Sequence, residues 1–243
     1  MIRRVLAGAL ALTGLLAAPP ASAALCREIA FEGARYTICD IAPAEEALRL
    51  YLSAPSGRPY GQFGALEAAR GPMAFAMNAG MYHADRRPVG LYIEDGVELA
   101  PLVTSAGPGN FGLLPNGVLC LSDDRARVIE TRAYEADPPE CRFATQSGPM
   151  LVIDGALHPR FIPDSPSRHV RNGVGTSADG RRAVFAISAR PVSFHAFARL
   201  FRDGLGLPNA LYLDGSISRL HAPALGRSDP GARMGPIVAV PAR

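Results

Sequence analysis

Four Asx-Gly pairs, each set between two short apolar segments, restrict the fold of this chain more than any other feature. Both central residues of a tight hairpin turn need a positive φ angle, which Asn, Asp and Gly adopt most readily. The flanking segments have strand length, and several alternate apolar with polar residues. The predicted hairpin turns are Asp95-Gly96, Asn116-Gly117, Asp154-Gly155 and Asp179-Gly180. We therefore predict mixed or largely antiparallel sheets.

Few helices are predicted, and these flank the sheets. Residues 193–206 place their apolar side chains on one helical face and start with Ser193, a favourable N-cap. A shorter helix is predicted over residues 62–69. Residues 48–52 alternate like a strand, and residues 73–77 form a continuous apolar run that is typical of a buried strand. Together these elements predict a strand-rich single domain of the α+β class.

Residues 1–23 have the pattern of a secretory signal peptide. Two arginines near the start precede an apolar stretch, and Ala-Ser-Ala at 21–23 supplies the small residues of a cleavage site. The mature domain is then predicted to cover residues 24–243, which is long enough to bury a substantial core. No part of it approaches the roughly 20 apolar residues that a membrane-spanning helix needs. We expect a periplasmic or secreted monomer.

Charge and composition exclude several classes of function. The formal charge of +3 includes the two arginines of the predicted signal, so the mature domain is close to neutral. A nucleic-acid partner is therefore not predicted, and neither is an anionic membrane surface. The chain contains no lysine, which excludes a Schiff-base lysine, a P-loop lysine and a lysine general base.

Four cysteines in an exported chain predict two disulfide bonds. Cys26 and Cys39 bracket a segment with hairpin alternation, and Cys120 and Cys141 bracket a polar excursion, so the local pairing Cys26–Cys39 and Cys120–Cys141 is predicted. Metal binding by cysteine is disfavoured because no two cysteines have C-x₂-C spacing, and the histidines form neither H-x-H nor H-E-x-x-H. No cofactor is predicted, although a calcium ion bound by carboxylates stays open as an alternative.

Two predicted strands end in polar residues. The apolar strand 211–213 leads into Asp214, and the strand 73–77 leads into Asn78. Either residue could instead cap its own turn. We expect the Asp214 carboxylate to lie at the mouth of a site, and we interpret Tyr82 as a packing residue. The neighbouring residues predicted to bind substrate are Gly80, His83, Gly215, Ser216 and Ser218.

Two further segments carry groups that suit an anion. Ser147 and Gly148 precede a strand and could donate from the hydroxyl and the backbone; Ser147 does not lie in a G-x-S-x-G frame, which disfavours a hydrolase nucleophile. His169 and Arg171 would share one face of an extended segment. A guanidinium binds paired oxygens, so this pair suits a phosphate or an oxyanion. The alternative is that Arg168 and Arg171 are simply two solvated arginines.

In this order, these segments resemble the phosphodiester glycosidase family, which includes the domain of the lysosomal uncovering enzyme. The resemblance extends over roughly residues 70–220 and is closest to a bacterial subgroup associated with exopolysaccharide. Two departures stand out: Ser216-Ile217 replaces two glycines of the last loop, and Ser188-Ala189 stands where the animal enzymes tend to have Asp-Gly. The matching segments are Asn78-Ala79-Gly80, Phe111-Gly112 with Asn116-Gly117, Ser147-Gly148 with Asp154-Gly155, Arg171 with Asp179-Gly180, and Leu213-Asp214-Gly215 with Ser218.

The resemblance implies hydrolysis of a sugar 1-phosphodiester in a phosphate-containing envelope or extracellular glycan. The sugar would be released and a phosphomonoester left. Asp214 would stabilise positive charge at the anomeric carbon or activate water, while Arg171 and Ser147 would bind the nonbridging phosphate oxygens. Asn78 would position a sugar hydroxyl or a phosphate oxygen, and His169 would assist proton transfer. Two alternatives stay open: a non-catalytic envelope protein that binds anionic glycan, and a phosphodiesterase that attacks phosphorus.

Overall fold

A computed structural model describes residues 25–214 and 217–243 of the chain. The strands in this part, in chain order, are β1 Cys26–Phe31, β2 Ala34–Ile41, β3 Arg49–Tyr51, β4 Met73–Asn78, β5 Tyr92–Glu94, β6 Val97–Ala100, β7 Gly117–Leu121, β8 Ala126–Glu130, β9 Phe143–Ser147, β10 Met150–Ile153, β11 Ala156–Leu157, β12 Asn172–Thr176, β13 Ala183–Ser188, β14 Asn209–Tyr212, β15 Leu220–Ala222, β16 Arg227–Ser228 and β17 Ile237–Pro241. The helices are α1 Phe63–Arg70, α2 Thr131–Ala136 and α3 Phe194–Arg199, with a π-helical turn over Leu200–Gly204 and a 3₁₀ turn over Pro223–Leu225.

The strands form three sheets, and every pairing between these strands is antiparallel. The largest sheet has seven strands in the order β1-β2-β13-β12-β14-β10-β11. The other two have five strands each, ordered β16-β15-β4-β17-β3 and β6-β5-β9-β7-β8. The predicted strand-rich α+β domain is confirmed, and of the two predicted arrangements, mixed or largely antiparallel, its sheets have the antiparallel one.

The three sheets pack around one shared hydrophobic core. Phe75 of β4 and Phe185 of β13 meet at a ring-centroid distance of 5.0 Å, and Leu119 of β7 belongs to the same buried cluster. Phe197 of helix α3 and Phe201 of the π-helical turn after it cover the opposite face of the seven-stranded sheet. Burial of each such side chain stabilises the fold by about 1.5–3 kcal/mol. Strands β12 and β14 are therefore covered on both faces, which fixes the positions of the residues at their ends.

Most of the predicted turns are present, because their geometry is local. Asp95-Gly96 joins β5 to β6 with φ angles of 53° and 81°, and Asp154-Gly155 joins β10 to β11 with φ angles of 47° and 82°. Asp179-Gly180 lies in the turn between β12 and β13. Glu32-Gly33 joins β1 to β2, and Cys26 of β1 lies opposite Cys39 of β2, to which it is disulfide-bonded. The second predicted disulfide, Cys120–Cys141, is also present.

The predicted hairpin at Asn116-Gly117 is wrong. Gly117 starts β7, and Asn116 is fully buried just before it. The Asn116 side chain donates to the Phe111 carbonyl oxygen (3.0 Å) and accepts a hydrogen bond from the Thr131 hydroxyl (2.7 Å). These contacts to other parts of the chain outweigh the local turn preference of Asn-Gly.

Two of the helices agree with the sequence pattern, and a third was missed. Ser193 caps α3 by accepting a hydrogen bond from the Ala196 amide at 3.1 Å, and α1 starts one residue later than predicted. Helix α2 lies between Cys120 and Cys141, in a segment whose sequence shows polar residues but no helical pattern. Glu130 caps this helix by accepting hydrogen bonds from two backbone amides. No helix in residues 25–214 and 217–243 is long and apolar enough to cross a membrane.

Candidate active site

Three strand ends meet where the predicted site residues lie. Asn78 is the last residue of β4 and Asn172 the first residue of β12, and Asp214 follows β14 by two residues. The Asp214 amide donates to the Ala79 carbonyl oxygen at 3.2 Å, and the Leu213 amide donates to the Asn172 carbonyl oxygen at 3.2 Å. The backbone before Asp214 is thus attached to the ends of strands in two sheets, so this carboxylate has a fixed position.

A pair of buried asparagines forms the floor of the site. The Asn78 side-chain amide donates to the Asn172 side-chain oxygen (3.3 Å), and the Asn172 amide donates to the Asn78 carbonyl oxygen (3.2 Å). The Asn78 side-chain oxygen accepts from the Arg219 backbone amide at 2.8 Å. The Ser218 hydroxyl lies 3.1 Å from the Asn172 side-chain oxygen and 3.0 Å from the Val170 carbonyl oxygen. This network holds the chain that returns from Asp214 against both strand ends.

Tyr82 lies beside the Asp214 carboxylate. Asp214 is only 7% exposed. Burial raises the pKa of the Tyr82 hydroxyl, and the neighbouring Asp214 carboxylate raises it further through its charge and its hydrogen-bonding interaction. The Tyr82 ring packs so closely on Gly235 that a Cβ atom there would approach it to 2.5 Å. Tyr82 is therefore both a packing residue, as the sequence predicts, and a direct neighbour of the candidate catalytic group.

Gly80, Ser147 and Gly148 form a second wall through close backbone packing. A Cβ atom on Gly80 would lie 2.2 Å from the Thr145 hydroxyl and 2.5 Å from the Gln146 carbonyl oxygen, so only glycine fits there. Ser147 is fully buried, and its hydroxyl makes no hydrogen bond to any residue that the structure describes. A buried hydroxyl without a protein partner is costly, so it is suited to a ligand.

The segment after Gly148 is hydrogen-bonded to β14, the strand that leads to Asp214. A Cβ atom on Gly148 would approach the Asn116 Cβ atom to 2.6 Å, which fixes this turn against the chain before β7. The next residue, Pro149, accepts a hydrogen bond from the Tyr212 amide at 3.1 Å. Ser147 ends β9, and Gly148 lies in the short connection to β10, the strand that pairs with β14 before Asp214.

Arg171 is buried in the wall of the site. Its guanidinium carbon lies 3.5 Å from the centroid of the Phe194 ring, and the residue is 1% exposed. The Nε atom donates to the Val192 carbonyl oxygen (2.9 Å) and Nη2 donates to the Ser167 carbonyl oxygen (3.3 Å). Burial lowers the pKa of Arg171, and the nearby Tyr212 hydroxyl opposes this effect.

No ion pair neutralises Arg171 among the residues that the structure describes. Its positive charge therefore contributes to the potential at the site, although two of its three nitrogens already donate to carbonyl oxygens. The Arg171 guanidinium therefore differs from one whose nitrogens are all free to bind two oxygens of a phosphate.

The two candidate histidines lie on the surface. His169 is exposed and forms a short backbone bridge with Val192, which also accepts the Arg171 hydrogen bond. His169 is exposed whereas Arg171 is buried, so the two side chains do not present one accessible surface. His83 is exposed in the loop after Gly80, where its backbone donates to the Arg87 carbonyl oxygen.

The predicted binding residues Gly215 and Ser216 lie outside the described residues. In the described part of the chain, no three His, Cys, Asp or Glu side chains form a group that could hold a metal ion. Three residues of the site were not singled out from the sequence for a role there: Tyr82, Asn172 and Arg219. Asn172 directly follows Arg171, but nothing local in the sequence signals its pairing with Asn78.

Comparison with known sequences places this chain in a family. The sequence model of the phosphodiester glycosidase family matches residues 72–224, which include Asn78, Ser147, Arg171 and Asp214. One relative is the uncharacterized protein YigE of Escherichia coli (strain K12), which is 36% identical over 182 residues, 74% of this chain and 71% of the relative.

The fold is also similar to that of a solved enzyme domain. That structure is the zebrafish N-acetylglucosamine-1-phosphodiester alpha-N-acetylglucosaminidase catalytic domain, auto-inhibited by its pro-peptide. The TM-score is 0.61 at 12% sequence identity, and the match covers 90% of this chain and 82% of that chain. At this low sequence identity the similarity shows a shared fold. It agrees with the match of the sequence to the family model. This chain belongs to the phosphodiester glycosidase family.

Proposed function

We propose that this protein is an exported hydrolase that cleaves a sugar 1-phosphodiester at the anomeric carbon. The substrate class is a phosphate-containing envelope or extracellular glycan. One observation carries the proposal: Asp214, in a segment matched by the family, is a nearly buried carboxylate whose backbone is attached to two strand ends beside Tyr82. A carboxylate in such a position can stabilise positive charge at an anomeric carbon or activate the attacking water.

The reaction breaks the bond between the anomeric carbon and the bridging phosphate oxygen. The electron pair of that bond leaves with the phosphate, and water supplies the hydroxyl of the released sugar. Phosphate is a good leaving group, so little help from a general acid is needed. Asp214 acts on the sugar side of the bond, and His169, at the surface near Arg171, assists proton transfer.

The remaining residues bind and orient the substrate in this proposal. Arg171 supplies positive potential from the wall of the site, and the unsatisfied Ser147 hydroxyl donates to a nonbridging phosphate oxygen. Asn78 holds the floor and positions a sugar hydroxyl or a phosphate oxygen. The other proposed binding residues are Gly80, His83, Gly148, Gly215, Ser216 and Ser218.

Export is part of the proposal. The predicted signal peptide over residues 1–23 supports it, and so do the two disulfides Cys26–Cys39 and Cys120–Cys141, because such bonds persist in oxidising compartments. A periplasmic or secreted monomer is therefore proposed. Fractionation of cells that express the full chain, with the N-terminus of the recovered protein sequenced, tests this point.

A panel of sugar 1-phosphodiesters tests the activity. The zebrafish enzyme is named for an N-acetylglucosamine-1-phosphodiester, so the panel starts with UDP-N-acetylglucosamine and an N-acetylglucosamine-phosphoryl methylmannoside. We expect free sugar and a phosphomonoester as products. Reaction in ¹⁸O-labelled water locates the bond that breaks: label in the sugar means attack at carbon, and label in the phosphate means attack at phosphorus and contradicts the proposal. Glycan binding without product release would instead indicate a binding protein.

A further inference from the structure

Arg86 occupies an unfavourable backbone conformation at the edge of the site. A tight turn follows Tyr82, in which the His83 amide donates to the Arg87 carbonyl oxygen and the Arg86 amide donates to the His83 carbonyl oxygen, both at 2.8 Å. This turn places Arg86 at a φ angle of 77°, a left-handed conformation that glycine or asparagine adopts at lower cost. Non-glycine residues in such positions are concentrated at functional sites.

The Arg86 guanidinium is held near the site without an acidic partner. Its central carbon lies 5.4 Å from the centroid of the Tyr82 ring, and the residue is half-buried. The next residue, Arg87, behaves differently: it forms an ion pair with Asp85 at 2.6 Å and is largely exposed. Arg86 forms no ion pair within the described parts of the chain. Its charge is therefore available to an anionic ligand.

Tyr82 connects this charge to the candidate catalytic carboxylate. The ring is immobilised against Gly235, and the hydroxyl interacts with Asp214. The face of one aromatic side chain thus lies against the cation, and the same side chain neighbours the carboxylate. A ligand that lies across Tyr82 meets both charges at once.

We propose that Arg86 binds the nonbridging oxygens of the substrate phosphodiester while Asp214 faces the anomeric carbon. This inference rests on the proposed function. Arg171 is less suited to that contact, because its Nε and Nη2 atoms donate to carbonyl oxygens and the residue is 1% exposed. A guanidinium binds phosphate oxygens through two parallel hydrogen bonds, which suits Arg86 to this role.

Substitution of Arg86 by asparagine tests the assignment. Arg86→Asn removes the charge and keeps a residue that tolerates the left-handed conformation, and Arg87→Ala is the matched control with the same change in net charge. For a diester that the wild type hydrolyses, we expect Arg86→Asn to raise KM about ten- to hundredfold, with a smaller change in kcat. Arg87→Ala should keep both constants close to the wild-type values.

A second variant and a second measurement separate this inference from misfolding and from the proposed reaction. Arg86→Gly should raise KM in the same way and melt at the wild-type temperature or above, since glycine suits the turn. Calorimetric titration with inorganic phosphate requires no turnover: binding to the wild type that Arg86→Asn abolishes and Arg87→Ala preserves supports the inference even if no diester is hydrolysed. Wild-type KM and wild-type phosphate affinity in Arg86→Asn would overturn it while leaving the proposed function intact.

Discussion

Asn78 and Asn172 are joined by two hydrogen bonds: the Asn78 side-chain amide donates to the Asn172 side-chain oxygen (3.3 Å), and the Asn172 side-chain amide donates to the Asn78 backbone carbonyl oxygen (3.2 Å). The two residues belong to different sheets, at the end of β4 and the start of β12. Both are fully buried, so neither can exchange these bonds for water. The pair therefore joins two sheets directly beneath the candidate catalytic residue.

Asn172→Ala should destabilise the protein and impair the site together. The change leaves polar groups of Asn78 buried without partners, which costs about 2–4 kcal/mol in the free energy of unfolding. Chemical denaturation measures this loss. Asn209→Ala is the control, because Asn209 is only partly buried and bonds to Asp154 at the surface; its cost should be about 1 kcal/mol or less. Equal effects of the two substitutions would show that the buried pair has no special role.

Removal of the hydroxyl group from two buried serines should have opposite effects on the stability of the protein. Ser147→Ala removes a hydroxyl without a partner among the described residues, so stability should stay unchanged or rise by up to about 1 kcal/mol. Ser188→Ala removes the group that accepts a hydrogen bond from the Arg171 amide at 3.0 Å, which should cost about 1–3 kcal/mol. Thermal melting of both variants, side by side, measures the difference.

The same serine variant tests a role in binding. If the Ser147 hydroxyl donates to the substrate phosphate, Ser147→Ala should lower kcat/KM about ten- to hundredfold despite its unchanged stability. Wild-type kinetics in this variant would remove Ser147 from the site.

Glu94 should make stability depend on pH. Burial raises the pKa of its carboxyl group above the ordinary value. The folded state then holds the proton more tightly than the unfolded state, so the stabilisation is fully present below the unfolded pKa and is lost as pH rises through the folded pKa. Glu94→Gln retains an oxygen that can accept from the Tyr92 hydroxyl (2.8 Å) and the Leu52 amide (3.1 Å). We expect the variant to lose less stability than the wild type as the pH rises above the ordinary glutamate pKa.

Unfolding midpoints across this pH range provide the measurement. Glu98→Gln, at an exposed glutamate in the adjacent strand β6, is the control for the loss of one negative charge. An identical profile for wild type and Glu94→Gln would mean that the Glu94 carboxyl does not contribute to the pH dependence.

The turns and disulfides could be predicted because their determinants are local. Asp95-Gly96 and Asp154-Gly155 impose positive φ angles within a few residues of the strands they join. Cys26 and Cys39 are cross-strand partners in one hairpin, so sequence spacing brings them together. Asn116 has the same local pattern, yet its hydrogen bond to Thr131 places it in the core before a strand.

The sequence predicted which segments form the candidate site, but it did not predict the contacts between them. Asp214 follows a strand and Asn78 ends one, which a single sequence reveals through apolar runs, whereas Ser147 was predicted to precede a strand and in fact also ends β9. The pairing of Asn78 with Asn172 joins residues 94 positions apart, and the contact of Tyr82 with Asp214 also joins distant segments. Such contacts depend on how the sheets pack, which local patterns do not specify. Arg171 shows the same limit, because its burial beneath Phe194 is set by helix α3.

Asp214→Asn tests the central claim most directly. The variant keeps the shape of the side chain and the backbone bond to Ala79 while removing the negative charge. Release of free sugar from a diester hydrolysed by the wild type should fall about a thousandfold or more, with the melting temperature and the phosphate affinity largely preserved. Full turnover by a normally folded Asp214→Asn protein would contradict the assignment of Asp214 as the catalytic carboxylate.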